Sequence, residues 1–268
     1  MDGDGLAPPL DQAALRAELI GTGLGWRQLE VVEQTGSTNA DLLARAASGI
    51  DVAGAVLIAE HQTAGRGRHG REWSARPRAQ ITMSVGVSVV DVPVAGWGWL
   101  PLATGVAVVD AVAAVTGVPA GLKVGLKWPN DVLADGRKLA GILAEVSRPV
   151  VVIGLGLNVF GVPDGVDGAT SLLDLGVAAP DRHGLARGLL TELGRRIVAW
   201  RAARGADWAL ASDYRARSLT IGNRVRAHLP GGQEIVGTAA GIDDHGRLLL
   251  ETGGQTVVVS AGDVVHLR

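Results

Sequence analysis

The feature that most constrains this chain is a run of four β-type segments packed between residues 122 and 159. They read as 122–127, 131–134, 138–146 and 150–159. Asp135-Gly136 between the second and third is a strong two-residue hairpin signal, so this stretch must contain an antiparallel pair and belong to a sheet. Upstream, 12–20 has helical spacing and 21–25, rich in glycine, ends it. Residues 28–35 read as a strand, 40–47 as a short helix after Ser37-Thr38-Asn39, and 55–60 as an apolar strand. A polar loop rich in Gly and Arg runs on to Pro77, and 81–90 is a long strand. Residues 99–116 form an apolar helix, and 183–217 read as two helices with Arg-rich exposed faces.

The most apolar stretch, 101–118, could pass for a membrane span. Asp110 interrupts it, small residues dominate it, and Pro93 and Gly96 precede it, so a buried helix fits better. After Asn223 the texture changes to short β-type runs separated by Pro230-Gly231-Gly232, residues 243–246 and Gly253-Gly254. Strands that short need protected edges, which predicts a small β-barrel. The expected division is an N-terminal segment (1–24), a main domain (25–218) and the barrel (219–268).

Composition bounds the function. A hydrophobic fraction of 47% supplies a sizeable core, filled mainly by Val, Leu, Ile and Ala because aromatics reach only 3%. Net charge is −2 without a block of like charges, so neither nucleic acid nor a membrane is expected as a partner. Cysteine is absent, which excludes disulfides, thiolate catalysis and sulfur-based metal sites. The six histidines show no ligand spacing, so no metal site is expected from the protein itself. The opening residues MDGDGLAPPL lack the basic and apolar regions of a signal peptide, which predicts a cytoplasmic protein.

Gly65, Gly67 and Gly70 match G-x-G-x-x-G after a strand, and Asp91 follows at the distance of a ribose-binding acid. That motif needs a helix opening at the glycines to meet a pyrophosphate, as in nicotinamide dehydrogenases. Here Arg71-Glu72-Trp73-Ser74-Ala75-Arg76-Pro77 follows, without helical period, so the match is a decoy. The loop's chemistry says more. Arg66, Arg68 and Arg71 alternate with glycines, and Gln62 and Thr63 lead in. Glycines admit close backbone approach, and guanidinium groups make charge-assisted contacts to phosphate or carboxylate. Composition alone leaves the loop either an anion site or a solvated basic segment.

Lys127-Trp128-Pro129-Asn130-Asp131 breaks a strand at its proline and sets a cation, an aromatic, an amide and a carboxylate at one corner. A strand end with an Asn-Asp turn is the alternative, but four different functional groups at one kink favour a site. Lys138 and Gly141 share the next strand. Gly154 and Gly156 alternate before Asn158, clearing one side of a strand for a ligand. Ser37-Thr38-Asn39 could serve only as a helix cap.

Together these segments resemble the biotin–protein ligase family. The resemblance runs through 37–39, 60–73, 127–131, 138–145 and 154–158, in the family's order, and the tail after residue 220 resembles its C-terminal barrel. It implies an α+β fold: a mixed-sheet catalytic domain of the biotin/lipoate ligase type with a small SH3-like β-barrel. It implies ATP and biotin as substrates, Mg²⁺ as ATP's companion, and a biotin carboxyl carrier domain as acceptor. Residue by residue, Ser37, Thr38, Asn39 and Gln62 would bind biotin's ureido ring, with Gly141, Gly154 and Gly156 beside it. The loop Arg66-Gly67-Arg68 would order over biotin and phosphate. Lys127 and Lys138 would stabilise charge on the reacting groups, Trp73 would pack near adenine, and Asn130 and Asn158 would border the nucleotide. Asp131 is the candidate to assist the acceptor lysine. About 25 residues precede the match, too few for the winged-helix repressor domain of some members, so no operator binding is expected. A lipoate–protein ligase of similar fold and a non-catalytic biotin sensor are the rival readings; oligomeric state leaves no signal.

Overall fold

The computed structural model describes residues 6–115, 117–162 and 166–267. The expected helix end at Thr116, the first five residues of the N-terminal segment and Arg268 lie outside them. The main sheet has seven strands: β1 (Gln28–Thr35), β2 (Ala55–Gln62), β3 (Gln80–Ser88), β4 (Val124–Lys127), β5 (Asp131–Ala134), β6 (Arg137–Ser147) and β7 (Val150–Asn158). Their order is β1-β2-β3-β7-β6-β5-β4, with β1 and β2 parallel and every other pair antiparallel. The sheet is therefore mixed. The β5–β6 connection is Asp135-Gly136, both at positive φ (46° and 77°), the conformation that twists a two-residue hairpin correctly.

Helix α1 (Gln12–Leu19), α2 (Thr38–Ala47), α3 (Trp99–Ala113), α4 (Arg182–Ala202) and α5 (Trp208–Arg217) cover the sheet. Strand β7 shows how the faces are assigned. Val151, Ile153, Leu155 and Leu157 join the large core with α3 and α4, whereas Val150 and Val152 pack with Leu42 of α2. That period of two is the signature of a strand buried on both sides. The stretch 94–113 is apolar and long enough to span a membrane, yet 67% of it is buried inside the protein. Its Asp110 carries two arginine partners, Arg196 and Arg217.

A second sheet follows: β8 (Arg224–His228), β9 (Glu234–Ile242), β10 (Leu248–Thr252), β11 (Gln255–Val259) and β12 (Asp263–His266). All its pairs are antiparallel, in the order β11-β10-β9-β8-β12. The expected barrel takes the form of this sheet, whose end strands carry no ladder to each other among the described residues. Indole groups from α3 and from the β4–β5 corner fasten it to the rest of the chain. Trp99 donates to the Asp244 carbonyl (2.8 Å) and Trp128 to that of Gly246 (3.0 Å), while Thr220 Oγ1 accepts from the Trp128 amide at 3.0 Å. Such apolar rings with one bonded N–H anchor an interface economically.

Candidate active site

One transverse row of the main sheet explains the site. Thr82 of β3 faces Gly156 of β7, Gly156 faces Gly141 of β6, Gly141 faces Asp131 of β5, and Asp131 faces Lys127 of β4. On the side of β7 where Val150 and Val152 fill space against α2, the next two positions are Gly154 and Gly156. Side chains vanish there, and a cavity of about 310 Å³ opens. Every candidate named from the sequence lines it: Ser37, Thr38, Asn39, Gln62, Arg66, Gly67, Arg68, Trp73, Lys127, Asn130, Asp131, Lys138, Gly141, Gly154, Gly156 and Asn158.

Lys138 reaches this face through an irregularity. It lies three residues before Gly141, which in a regular strand puts it on the opposite side. The register shifts between β5 and β6, from Val132↔Ala140 to Leu133↔Lys138, so Leu139 is an extra residue. The bulge brings the lysine back. Its Nζ stands 2.6 Å from Asp131 Oδ1 and 5.6 Å from the centre of the Trp73 ring. The approach to Asp131 is too oblique for a hydrogen bond, so the contact is an ion pair.

The polar end is built on the start of α2. Ser37 caps that helix, its hydroxyl accepting from the Ala40 amide at 3.4 Å, and so does what a cap does. Thr38 and Asn39 do something else. The Thr38 amide and hydroxyl lie 2.8 and 3.0 Å from Gln62 Oε1, and the hydroxyl lies 2.7 Å from Ser84 Oγ. Ser84 donates to Asn39 Oδ1 at 2.5 Å, and Asn39 Nδ2 donates to Glu145 at 2.8 Å. Thr38, Asn39 and Ser84 are all buried. A buried chain in which each group has a partner is rigid, which suits recognition of a small polar ring.

The Arg-Gly loop is ordered as a tight hairpin rather than a solvated segment. The Gly67 amide donates to the Arg71 carbonyl (2.7 Å) and the Trp73 amide to that of Gly65 (2.9 Å). His69 and Gly70 turn the tip, both at positive φ. Only a single 3-10 turn (Arg68–Gly70) forms at the glycines and no α-helix opens there, and Asp91 faces Arg201 at 3.5 Å, away from this cavity, so the dinucleotide motif is absent. Arg66 meets Glu145 at 3.2 Å. Arg68 donates to Asn130 Oδ1 (3.0 Å) and to the Gly262 carbonyl (3.1 Å). Burial pulls the Arg68 guanidinium below its usual pKa, and the Asp263 carboxylate opposes that pull.

Trp73 lies on the glycine strip itself. A Cβ at Gly156 would overlap its indole, and one at Gly141 would come within 2.9 Å of the ring. Gln80 accepts from the indole N–H at 2.8 Å and donates to Asn158 at 2.7 Å. Asn158 in turn donates to the Thr170 carbonyl at 2.9 Å, so its amide is spent on holding neighbouring segments. Lys127 has no ion-pair partner among the described residues. Sequence reasoning missed Ser84, Glu145, Gln80 and Asp263. Thr82 and Ser84, alternating within an apolar strand, were the available signal for a polar face. Trp128, at the proline break, borders the cavity too, but its indole N–H is committed to the second sheet. Among the described residues no cluster of three His, Asp or Glu side chains could hold a metal ion.

A mixed sheet whose cavity joins a buried polar network to four cations has the makings of a carboxylate-activating ligase. The description "Biotin/lipoate A/B protein ligase family" matches residues 31–158 and "Biotin protein ligase C terminal domain" matches 220–267. The chain belongs to the biotin–protein ligase family. It is 69% identical, over 100% of its length and 99% of the relative's, to the biotin–[acetyl-CoA-carboxylase] ligase of Mycobacterium tuberculosis. The bifunctional ligase/repressor BirA of Escherichia coli is 32% identical over 94% of this chain and 78% of its own. In fold the chain is similar to the Aquifex aeolicus biotin protein ligase in complex with biotin and ATP, with TM-score 0.77, 24% identity, and coverage of 91% and 100%.

Proposed function

We propose that the protein joins biotin to a lysine of the carboxyl carrier of acetyl-CoA carboxylase in two steps. A biotin carboxylate oxygen attacks the α-phosphorus of Mg²⁺-bound ATP, the bond from that phosphorus to the bridging oxygen breaks, and pyrophosphate leaves. The carrier's lysine amine then attacks the acyl carbon and AMP departs. The observation that carries this reading is the meeting of Arg66, Arg68, Lys127 and Lys138, from three separate chain segments, around one cavity that the Thr38–Gln62–Asn39 network also lines.

The chemistry needs that arrangement. Both reactants of the first step are anions, and positioned cations lower their mutual repulsion while aligning the attack. Each charge-assisted contact is worth roughly 1.5–3 kcal/mol. Lys138 and Lys127 suit the carboxylate and α-phosphate, and Trp73 over the glycine strip suits a stacking partner for a purine. Asp131, 2.6 Å from Lys138 and with that ammonium as its partner, suits a proton acceptor for the incoming amine once Lys138 engages phosphate. With no clustered metal ligands among the described residues, Mg²⁺ belongs to the ATP substrate, held by its phosphates. ATP as co-substrate supports a cytoplasmic location.

The 69% identity to a named biotin ligase favours biotin over lipoate. Pyrophosphate release measured side by side with biotin and with lipoate tests this. Release with biotin alone is expected; release with lipoate alone refutes it, and release with neither supports a sensor.

A further inference from the structure

The second sheet reaches into the cavity at a single point. Asp263, the first residue of β12, gathers three side chains of the Arg-Gly loop. Arg71 Nη2 contacts its Oδ2, Arg68 Nη1 stands 3.4 Å from its Oδ1, and His69 Nε2 stands 3.7 Å from the same oxygen. The neighbouring Gly262 carbonyl accepts from Arg68 Nη2 at 3.1 Å. Asp263, Val264 and Val265 line the same cavity as Arg68. Asp263 and the residue before it therefore hold the loop at Arg68 and Arg71, while Glu145 meets it at Arg66.

We propose that Asp263 is a positioning residue: through Arg68 and Arg71 it latches the Arg-Gly loop over the cavity, so that the C-terminal sheet sets loop closure. This rests on the functional reading above only for its consequence, not for its geometry. Arg68 is largely buried and has acceptors on three sides, Asn130, Gly262 and Asp263. An arginine so held has already lost its rotamer freedom when a phosphate arrives, which favours binding by preorganisation. The carboxylate also compensates for the desolvation of the guanidinium. A loop held from both ends would keep a hydrolysable mixed anhydride from water and from bystander amines.

Two readouts test the latch. The first is independent of any reaction. Limited trypsin cleavage within residues 66–71, relative to cleavage elsewhere, is expected to quicken about fivefold or more in Asp263→Asn, with Asp263→Glu restoring most of the protection. Arg71→Ala, on an exposed side chain, breaks the same pair from the loop side and is expected to loosen the loop too, by about threefold. Should Asp263→Asn fail to fold, Arg71→Ala carries the test alone. Unchanged cleavage in either folded variant overturns the latch. The second readout is escape of preformed biotinyl-5′-AMP, expected to rise about fivefold in Asp263→Asn while the Kd for biotin alone stays within about twofold. Unchanged or slower escape, or tighter ATP binding, overturns it, because a competing anion would behave that way. Wild-type protein that forms no adenylate removes the functional reading, and the cleavage experiment still decides the latch.

Discussion

Trp73 lies across Gly156 so closely that a methyl group on that glycine would overlap the indole. The strand needs glycine there for a neighbour, not for its own backbone. Gly156→Ala is therefore expected to push Trp73 off the strip and break its bond to Gln80. Adenylate formation should fall about tenfold or more, with ATP affinity affected more than biotin affinity, since Thr38 and Gln62 lie elsewhere. Steady-state pyrophosphate release at varied ATP and varied biotin separates the two. An unchanged ATP dependence would show that the ring's seat is unimportant.

Lys138 has a bulge to bring it to the cavity and one carboxylate as ion-pair partner. Lys138→Ala is expected to slow adenylate formation by at least roughly tenfold, about 1.4 kcal/mol of barrier, while circular dichroism and unfolding midpoint change little. The side chain is partly exposed, so stability rests on it weakly. A near-normal single-turnover rate would remove Lys138 from the chemistry.

Much of this site was legible in the sequence because its parts are contiguous. Residues 37–39, 60–73 and 127–131 each carry their chemistry in a few adjacent positions. The alternation of Gly154 and Gly156 named the open face of β7 without coordinates. The bulge at Leu139 was not legible, because nothing in Lys138-Leu139-Ala140-Gly141 distinguishes a regular strand from one with an inserted residue. Ser84 and Glu145 were missed because each looks ordinary in its own strand and gains its role from Asn39 and that residue's neighbours in the site, more than forty residues away from either. Asp263 lies almost two hundred residues from its arginine partners, beyond the reach of any local pattern. Ser37-Thr38-Asn39 split between two readings: the serine caps the helix, and the threonine and asparagine join the buried network.

Ser84→Ala tests that network. It strands Asn39 Oδ1 beside the pocket and leaves Thr38 Oγ1 with Gln62 alone, and an unpaired buried polar group costs about 1–3 kcal/mol. Biotin binding measured by calorimetry is expected to weaken about fivefold or more, with the ATP dependence preserved. Unaltered binding would mean that Thr38 and Asn39 hold their places without Ser84.

Behind the site, Arg182 and Glu60 form an ion pair at 2.6 Å whose side chains are 3% and 2% exposed. Glu60 also accepts from the Leu10 amide, and Arg182 donates to the Pro8 and Gln80 carbonyls. Arg182→Met leaves a buried carboxylate uncompensated, which typically costs about 3–5 kcal/mol. Denaturant unfolding should show that loss. A double variant that also replaces Glu60 with Gln should recover part of it.

His266 gives a pH prediction. Burial is the larger cause and the Lys127 charge the smaller one of a pKa below the ordinary histidine value of 6.5, and Thr220 Oγ1 sits 3.1 Å from its Nε2. The folded state therefore binds a proton less readily than the unfolded chain. Its contribution to stability is complete above about 6.5 and is lost as pH falls below that value through the folded pKa. Unfolding midpoints at pH 7.5 and at about pH 5.5 should differ less in His266→Gln than in the wild type. Equal differences would exclude this residue as a source of acid sensitivity.

The most direct test of the central claim is to mix the protein with Mg²⁺, biotin and ATP labelled at the α-phosphate, then separate protein from free nucleotide. If the cations of three segments act on a vitamin's carboxylate and a nucleotide's first phosphorus, labelled biotinyl-5′-AMP stays with the protein and disappears when a carrier domain is added. Label that stays in ATP when biotin is present, or protein that retains adenylate but never passes biotin to the carrier, would contradict the account.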